Sequence, residues 1–235
     1  ARMNVLDESR SEFVSNVSHE LKTPMTSMKV LADSLVGQHG VPEDLYQEFM
    51  RDITAEIDRE NRIITDLLTL VKMDKKNADL QIQHMSINQL LEDILKRLRP
   101  IADKRNIDLI LDSFRPVEAD VDELKFTSAI SNLVENAIKY NVDDGWVRVS
   151  LDADHKFFYV TVADSGMGIP EDSLSRIFER FYRVDKSHSR EIGGTGLGLA
   201  ITRSTIGMHH GVIKVFSKEG EGTTFSVRVP LSYIP

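Results

Sequence analysis

The apolar residues of the first third of the chain recur in steps of three and four. One stripe of this kind begins at Val14 and continues through Val17, Leu21, Met25, Met28, Leu31 and Leu35. After Gly37, Gly40 and Pro42, a second stripe runs through Leu45, Phe49, Ile53, Ile57, Ile64, Leu67 and Val71. This spacing is typical of amphipathic helices, and two long helices joined by a short turn predict an antiparallel helical hairpin.

Two helices cannot enclose a core by themselves, so the stripes require a further apolar surface. A second copy of the chain would complete a four-helix bundle, and packing against the rest of the same chain is the alternative. Because both stripes are long and regular, they favour a homodimer formed through the hairpin.

The rest of the chain has a mixed pattern. Residues 1–78 are predicted to form the helical domain and residues 79–235 a second domain, with the polar residues 77–85 as a linker. Strand-like runs occupy 108–112, 146–151, 157–163, 212–216 and 223–229, and helices are predicted at about 86–104, 122–140 and 196–208. A layer of helices on one face of a mostly antiparallel sheet is an α+β sandwich.

Composition excludes several classes of protein. The net charge of −8 provides no basic field for nucleic acid or an anionic membrane, and the absence of cysteine excludes disulfides and thiol catalysis. No apolar run approaches the roughly 20 residues that cross a bilayer. The chain opens without a methionine while a helical pattern is already under way, which indicates a fragment of a longer protein.

Two glycine-rich segments suggest a phosphate ligand. Asp164 to Ile169 follows a predicted strand, and Gly193 to Gly198 opens a predicted helix. Glycine lets a backbone approach a ligand closely, and amides at a helix N-terminus suit phosphate, although glycine pairs mark turns far more often. Neither segment matches a P-loop or a dinucleotide-binding fingerprint.

A polar helix face precedes them. Asn132, Asn136 and Lys139 are spaced so that they share one face of the predicted helix at 122–140. A solvated face would explain this segment by itself. Amides beside a lysine would equally suit a hydrated Mg²⁺ and the phosphates it neutralises.

His19 stands apart from the other six histidines, none of which has a second ligand at metal spacing. It lies about 200° around the helix from both Val17 and Leu21, and therefore points away from the apolar stripe. Pro24 cannot donate a hydrogen bond to the carbonyl of Glu20, so the helix is expected to kink there. Proline inside an otherwise regular helix favours a functional explanation.

Taken together, five segments resemble the motifs of bacterial sensor histidine kinases. His19 to Pro24 resembles their H box and Asn132 to Tyr140 their N box. Asp164 to Ile169 is similar to the G1 box, Phe178 to Arg183 to the F box, and Gly194 to Gly198 to the G2 box. The resemblance covers nearly the whole chain and implies a phosphoacceptor hairpin followed by the ATP-binding fold shared with DNA gyrase and certain heat-shock chaperones. The segment Ile206 to Gly211 departs from the family's usual pattern, which leaves its packing open.

The resemblance implies a role for each matching residue of an ATP site. Asn136 would hold Mg²⁺ with Asn132 nearby, and Asp164 would accept a hydrogen bond from the adenine amino group. Lys139 and Tyr140 would contact phosphate and base, and Arg183 the γ-phosphate. Gly166 and Gly168 would shape the adenine pocket, the span from Arg180 to Gly193 would form a mobile lid, and backbone amides would reach the phosphates from Gly194, Thr195, Gly196, Leu197 and Gly198.

At the H box, the resemblance implies that His19 attacks the γ-phosphate of ATP with Glu20 as base. The phosphoryl group would then pass to an aspartate of a response regulator, and Thr23 would orient a water for dephosphorylating that partner. The family also implies a membrane segment upstream, so that this chain would be the cytoplasmic portion of an inner-membrane sensor. A dimeric scaffold without turnover and a gyrase-like ATP-driven clamp remain as alternatives.

Overall fold

Two long helices make up the first part of the chain. The structure, a computed structural model, describes residues 2–36, 40–73, 80–184 and 194–234, with side-chain surroundings from residue 13 onward. Helix α1 (Arg2–Val36) runs through Pro24, and α2 is Glu43–Met73. The predicted helical hairpin is confirmed, while the turn positions 37–39 lie outside the described residues.

The second predicted stripe is only partly correct. Ile63 and Leu70 are the buried residues of α2, and neither belongs to that stripe. Met50, Ile57, Ile64 and Val71 follow one another at seven-residue steps and stay 41%, 45%, 41% and 49% exposed. Residues seven positions apart lie on nearly the same side of a helix. The helix therefore has two apolar faces, one with Ile63 and Leu70 and one with the exposed repeat. Among the described residues, the face that carries Ile63 and Leu70 is covered, and the face that carries the exposed repeat is not.

The chain consists of two compact units, and the boundary between them lies between Leu70 and Val71. The sequence placed its domain boundary eight residues later, between 78 and 79. Part of the predicted linker is a strand, because β1 (Ile82–Ser86) pairs antiparallel with β3 (Glu118–Asp122). Neither strand was predicted. Both are short, and Glu118–Asp122 carries three acidic residues among its five, which hides the usual alternation.

The remaining elements follow the predicted order closely. Helix α3 (Ile87–Asp103) precedes β2 (Asp108–Ser113), and α4 (Glu123–Lys139) follows β3. Next come β4 (Trp146–Ala153), β5 (Phe157–Asp164) and the short α5 (Glu171–Leu174). The chain ends with α6 (Gly198–Met208), β6 (Val212–Lys218) and β7 (Gly222–Pro230).

Five strands form the main sheet in the order β2-β4-β5-β7-β6. The β2–β4 pair is parallel and the other three pairs are antiparallel. Alternate residues of the central strands point into the core, as Val147 and Val149, Val160 and Val162, and Val227 and Val229 do. Helices α3, α4 and α6 contribute the opposite side of that core. This is the predicted α+β sandwich.

Side-chain caps fix where two of these helices begin. The Ser86 hydroxyl accepts a hydrogen bond from the Gln89 amide, as the capping pattern predicted. Gln89 does not complete a reciprocal box, because its side chain donates to Asp93. Asp122 caps α4 by accepting from the Lys125 amide. Among the described residues, no helix combines the length and the low polarity that crossing a membrane would require.

Candidate ATP-binding and phosphoacceptor sites

Asp164 ends β5 with its side chain half-buried. Its Oδ1 accepts hydrogen bonds from the Gly166 amide at 2.8 Å and from the Thr223 amide at 3.3 Å. Burial raises the pKa of this carboxyl to about 6, against the opposing effect of the two amides. Within the described ranges Oδ2 accepts no hydrogen bond, so one carboxylate oxygen remains for a donor on a ligand.

The loop after Asp164 fits only without side chains at two positions. A Cβ on Gly166 would collide with the Tyr140 carbonyl oxygen, and one on Gly168 with the Lys218 carbonyl oxygen. Gly168 also has a φ of +71°, which glycine adopts without strain. The Met167 amide donates to the Tyr140 carbonyl at 3.0 Å, which ties this loop to the end of α4.

Asn132 and Asn136 share the polar face of α4 but have different surroundings. The Asn132 amide donates to the Thr202 hydroxyl at 3.0 Å, and a Cβ on Gly198 would collide with the same side chain. Asn132 therefore packs α4 against the start of α6. The half-buried Asn136 side chain makes no hydrogen bond within the described part of the chain. An amide oxygen of this kind is suited to a hydrated cation.

Two cations and a tyrosine meet around Gly194. A Cβ on Gly194 would lie 3.4 Å from Lys139 Nζ and 3.5 Å from Tyr140 Oη, and the Arg183 guanidinium donates to the Gly194 carbonyl. Burial raises the pKa of the Tyr140 hydroxyl, and the Arg183 charge opposes that rise. Two positive side chains close to one glycine backbone suit a polyanionic ligand.

The second glycine segment is held by an unusual backbone. Gly196 has a φ of +71°, and a Cβ there would lie 3.0 Å from the Cα of Phe181. Phe181 itself has a φ of +64°, which is rare for a bulky residue, and its amide donates to the Gly196 carbonyl at 2.8 Å. The Leu197 side chain is fully buried and its backbone amide already donates a hydrogen bond within the chain, so neither group is open to a ligand in this structure. The Thr195 hydroxyl is also engaged, because it accepts from the Leu197 amide at 3.2 Å.

The predicted nucleotide residues therefore gather at the C-terminal end of α4, the loop after β5 and the start of α6. Positions 185–193 of the predicted lid lie outside the described residues. The sequence missed Arg105, Asn141, Ser165 and Thr223, whose hydrogen bonds hold these segments in place. Two of them had a visible signal, because Ser165 lies within the segment Asp164 to Ile169 and Thr223 follows Gly220-Glu221-Gly222 at the start of a predicted strand.

The phosphoacceptor candidates lie on α1, in the other unit of the chain. His19 is exposed, Glu20 is half-buried and Pro24 is buried. The Thr23 hydroxyl donates to the His19 carbonyl at 3.1 Å, one helical turn back. The exposed imidazole agrees with the position that the stripe predicted for it.

His209 has a structural role that the sequence did not reveal. It is buried at the end of α6, where its Nδ1 donates to the Thr205 carbonyl at 2.8 Å and its Nε2 accepts from the Asp122 amide at 3.0 Å. Burial lowers the pKa of this imidazole, which favours its neutral form. The atypical segment Ile206 to Gly211 thus connects α6 to the N-cap of α4.

Family comparisons agree with this arrangement. Residues 9–76 match the His Kinase A (phospho-acceptor) domain, and residues 121–233 match the histidine kinase-, DNA gyrase B- and HSP90-like ATPase. Together the two models cover most of the chain, in the order that the sequence motifs predicted.

Two curated relatives match nearly the whole of this chain and are themselves longer. The sensor histidine kinase WalK of Bacillus subtilis is 35% identical over 228 residues, which are 96% of this chain and 37% of WalK. The sensor-like histidine kinase SenX3 of Mycolicibacterium smegmatis is 35% identical over 225 residues, 96% of this chain and 58% of SenX3. The chain thus spans between about a third and three fifths of these curated relatives.

A solved structure shares the fold. Histidine kinase ThkA, in complex with the response regulator protein TrrA, superposes with a TM-score of 0.78 at 24% identity, over 98% of this chain and 63% of that one. The two domain models and the relatives agree with the sequence motifs and with the fold. The chain belongs to the sensor histidine kinases of bacterial two-component systems.

Proposed function

We propose that this chain binds ATP in the second unit and transfers its γ-phosphoryl group to His19. The observation that carries the proposal is the gathering of an acceptor carboxylate, Asp164, and two cations, Lys139 and Arg183, on segments that are tied together by hydrogen bonds. The carboxylate suits the amino group of adenine. The cations suit phosphates, and the first turn of α6 offers backbone amides to the same charge.

In the transfer step, Nε2 of neutral His19 attacks the γ-phosphorus while the bond between that phosphorus and the β,γ-bridging oxygen breaks. The electron pair of the broken bond leaves with ADP. Glu20 takes the proton from Nδ1, so that the phosphorylated ring is left neutral. Lys139 and Arg183 offset the charge on the transferring group, which is where most catalysis of phosphoryl transfer resides.

Magnesium would be held by one protein ligand, with phosphates and water as its other ligands. No cluster of three or more His, Cys, Asp or Glu residues that could hold a metal occurs among the described residues. The Asn136 amide oxygen is a suitable single ligand, and Mg²⁺ commonly takes its other ligands from phosphates and water. When bound, Mg²⁺ would neutralise phosphate charge at this position.

A homodimer through the hairpin follows from the uncovered face of α2. Met50, Ile57, Ile64 and Val71 form a seven-residue repeat that is exposed in one chain. Such a repeat packs in a helical bundle, and a second copy would supply the matching surface. The phosphoacceptor-domain match supports this assembly.

The partner of the phosphorylated chain is proposed to be a response regulator, which accepts the phosphoryl group on an aspartate. The ThkA structure shows one histidine kinase bound to such a protein. We further propose that Thr23 supports dephosphorylation of the regulator. Its hydroxyl oxygen keeps acceptor capacity for a water while it donates to the His19 carbonyl.

Incubation with γ-labelled ATP and Mg²⁺ tests the proposal. The parent chain is expected to acquire label that resists base and is lost in acid, and H19A is expected to acquire none. H155A removes another exposed histidine, in the connection between β4 and β5, and is the matched control that keeps its label. Label surviving in H19A would contradict the choice of acceptor. ATP binding without label in the parent would favour the scaffold or clamp alternatives.

A further inference from the structure

Arg105 reaches across the second unit to the end of α4. It lies between α3 and β2, and its Nη1 donates to the carbonyls of Ile138 at 2.8 Å and Lys139 at 3.0 Å. Nη2 donates to the Asn141 carbonyl at 2.7 Å, and Nε contacts the Asp143 carboxylate at 2.9 Å. The last carbonyls of a helix have no partner within the helix, and a cation is favourable there. One guanidinium thus fixes the backbone on both sides of Tyr140.

Asn141 extends these contacts to the loop that follows β5. Its side chain is buried, and Nδ2 donates to the carbonyls of Ala137 and Trp146, both at 3.0 Å. Its Oδ1 accepts from the Ser165 hydroxyl at 3.0 Å. Ser165 directly follows Asp164 in the chain. A continuous set of hydrogen bonds therefore runs from Arg105 through Asn141 to the neighbour of the acceptor carboxylate.

Space around these bonds is tightly filled. A Cβ on Gly145 would collide with Asn141 Oδ1 and would lie 2.7 Å from the Ser165 hydroxyl. The Ser165 hydroxyl also accepts from the Trp146 amide at 2.8 Å. Because each of these polar atoms already has a protein partner, neither Arg105 nor Asn141 is arranged to touch a ligand.

We infer that Arg105 and Asn141 are positioning residues that set the affinity for the adenine end of the nucleotide. They hold Tyr140 and Asp164, on two separate segments, at a fixed separation. This inference rests on the proposed ATP site and goes beyond it. It assigns part of the nucleotide-binding energy to the connection between α3 and β2, which carries Arg105 and lies far from the site in the sequence. Asn141 acts on the base side of the site, and Arg105 also holds the backbone of Lys139, so the binding of both ATP and ADP should weaken when Arg105 is replaced.

The test compares dissociation constants for ATP and ADP in the parent, R105Q and R105K, measured by calorimetry on the full chain. R105Q is expected to weaken the binding of both ligands about tenfold, because it removes charged hydrogen bonds that order the segment. R105K is expected to keep only part of the affinity that R105Q loses, since an ammonium group cannot make the several directed hydrogen bonds of a guanidinium. The KM for ATP in autophosphorylation should rise by a similar factor, and by more than kcat falls.

R115Q is the matched control. Arg115 forms an exposed ion pair with Asp152 and belongs to the same unit, but makes no bond to α4. Its affinities should equal those of the parent. If R105Q lowers the thermal midpoint and leaves both dissociation constants unchanged, Arg105 is structural only and the inference is wrong. Failure of the parent to bind either nucleotide would instead refute the proposed ATP site.

A milder variant keeps the inference testable if R105Q does not fold. D143N removes only the exposed carboxylate partner of Nε and leaves the three carbonyl bonds. It should raise both dissociation constants about twofold to threefold, in line with the small value of one exposed ion pair. Unchanged affinities in D143N, together with an unfolded R105Q, would count against a positioning role.

Discussion

Asp164 illustrates how a binding residue can work against the stability of its own domain. Burial raises the pKa of its carboxyl to about 6, so the folded protein binds a proton more tightly than the unfolded chain does. Between the ordinary Asp value of about 4 and a pH near 6, ionisation therefore costs stability as pH rises. In the proposed ATP site, the ionised form is nevertheless the one suited to accept a hydrogen bond from adenine.

We therefore expect D164N to lose nucleotide affinity by at least about tenfold without losing stability. Asparagine keeps an oxygen for the Gly166 and Thr223 amides and removes the buried charge. At pH 7.5 the ligand-free variant should be as stable as the parent or more stable by about 1 kcal/mol, after allowance for partial solvent contact. Calorimetric binding and chemical unfolding give the two quantities. A large loss of stability in the ligand-free variant would contradict this account.

His209 gives the opposite dependence on pH. Its pKa is lowered by burial, and its Nε2 must stay unprotonated to accept from the Asp122 amide. The unfolded chain thus binds more protons at this site than the folded one. The stability that the neutral ring contributes is present above the ordinary His value of about 6.5 and is lost as pH falls below it.

Comparing H209Q with H210Q tests this assignment by urea unfolding at pH 7.5 and 5.5. H209Q should lower the free energy of unfolding by about 2 kcal/mol at pH 7.5. Its free energy of unfolding should then fall less between pH 7.5 and 5.5 than that of the parent. His210 is exposed and stacks on Tyr233, so H210Q should behave like the parent. Equal acid sensitivity in the parent and in H209Q would rule out His209 as the titrating group.

Secondary-structure elements were largely predictable, and the exceptions have physical causes. All five strands of the main sheet were predicted, and alternation was clearest in β4 and β7, where alternate residues are buried in the core. Periodicity also placed Asn132 and Asn136 on one face of α4. It could not show that Asn132 bonds Thr202, a partner 70 positions away in the sequence. Arg105 and Asn141 were missed for the same reason, because their roles depend on contacts between distant segments.

At the level of loops, two glycines offer a controlled comparison. Gly168 and Gly220 have φ values of +71° and +79°, but a Cβ on Gly168 meets the backbone of Lys218 whereas Gly220 has open space. G220A should therefore lower the free energy of unfolding by about 1 kcal/mol, because only the unfavourable positive φ of alanine opposes it. G168A adds a backbone collision and should cost at least about 3 kcal/mol, with loss of nucleotide binding. Equal thermal shifts in the two variants would show that the collision is relieved by local movement.

At the scale of the whole molecule, the two units differ in how complete they are. The second unit has its own core, drawn from α3, α4, α6 and both sheets. Within the described residues of the hairpin, α2 buries only Ile63 and Leu70 and exposes its seven-residue repeat. Exposed apolar surface of this regularity marks an interface. Self-association is therefore expected to reside in the first unit and nucleotide binding in the second.

A fragment comprising residues 71–235 should separate these two properties. The division of the chain falls at its first residue, so we expect a folded monomer with the ATP affinity of the full chain. The full chain should be a dimer by light scattering, and I64E should weaken that dimer by placing a charge in the exposed repeat. The fragment lacks His19 and should acquire no acid-labile phosphate. A dimeric fragment would move the interface to the second unit, and a fragment that folds but binds no ATP would show that the hairpin takes part in nucleotide binding.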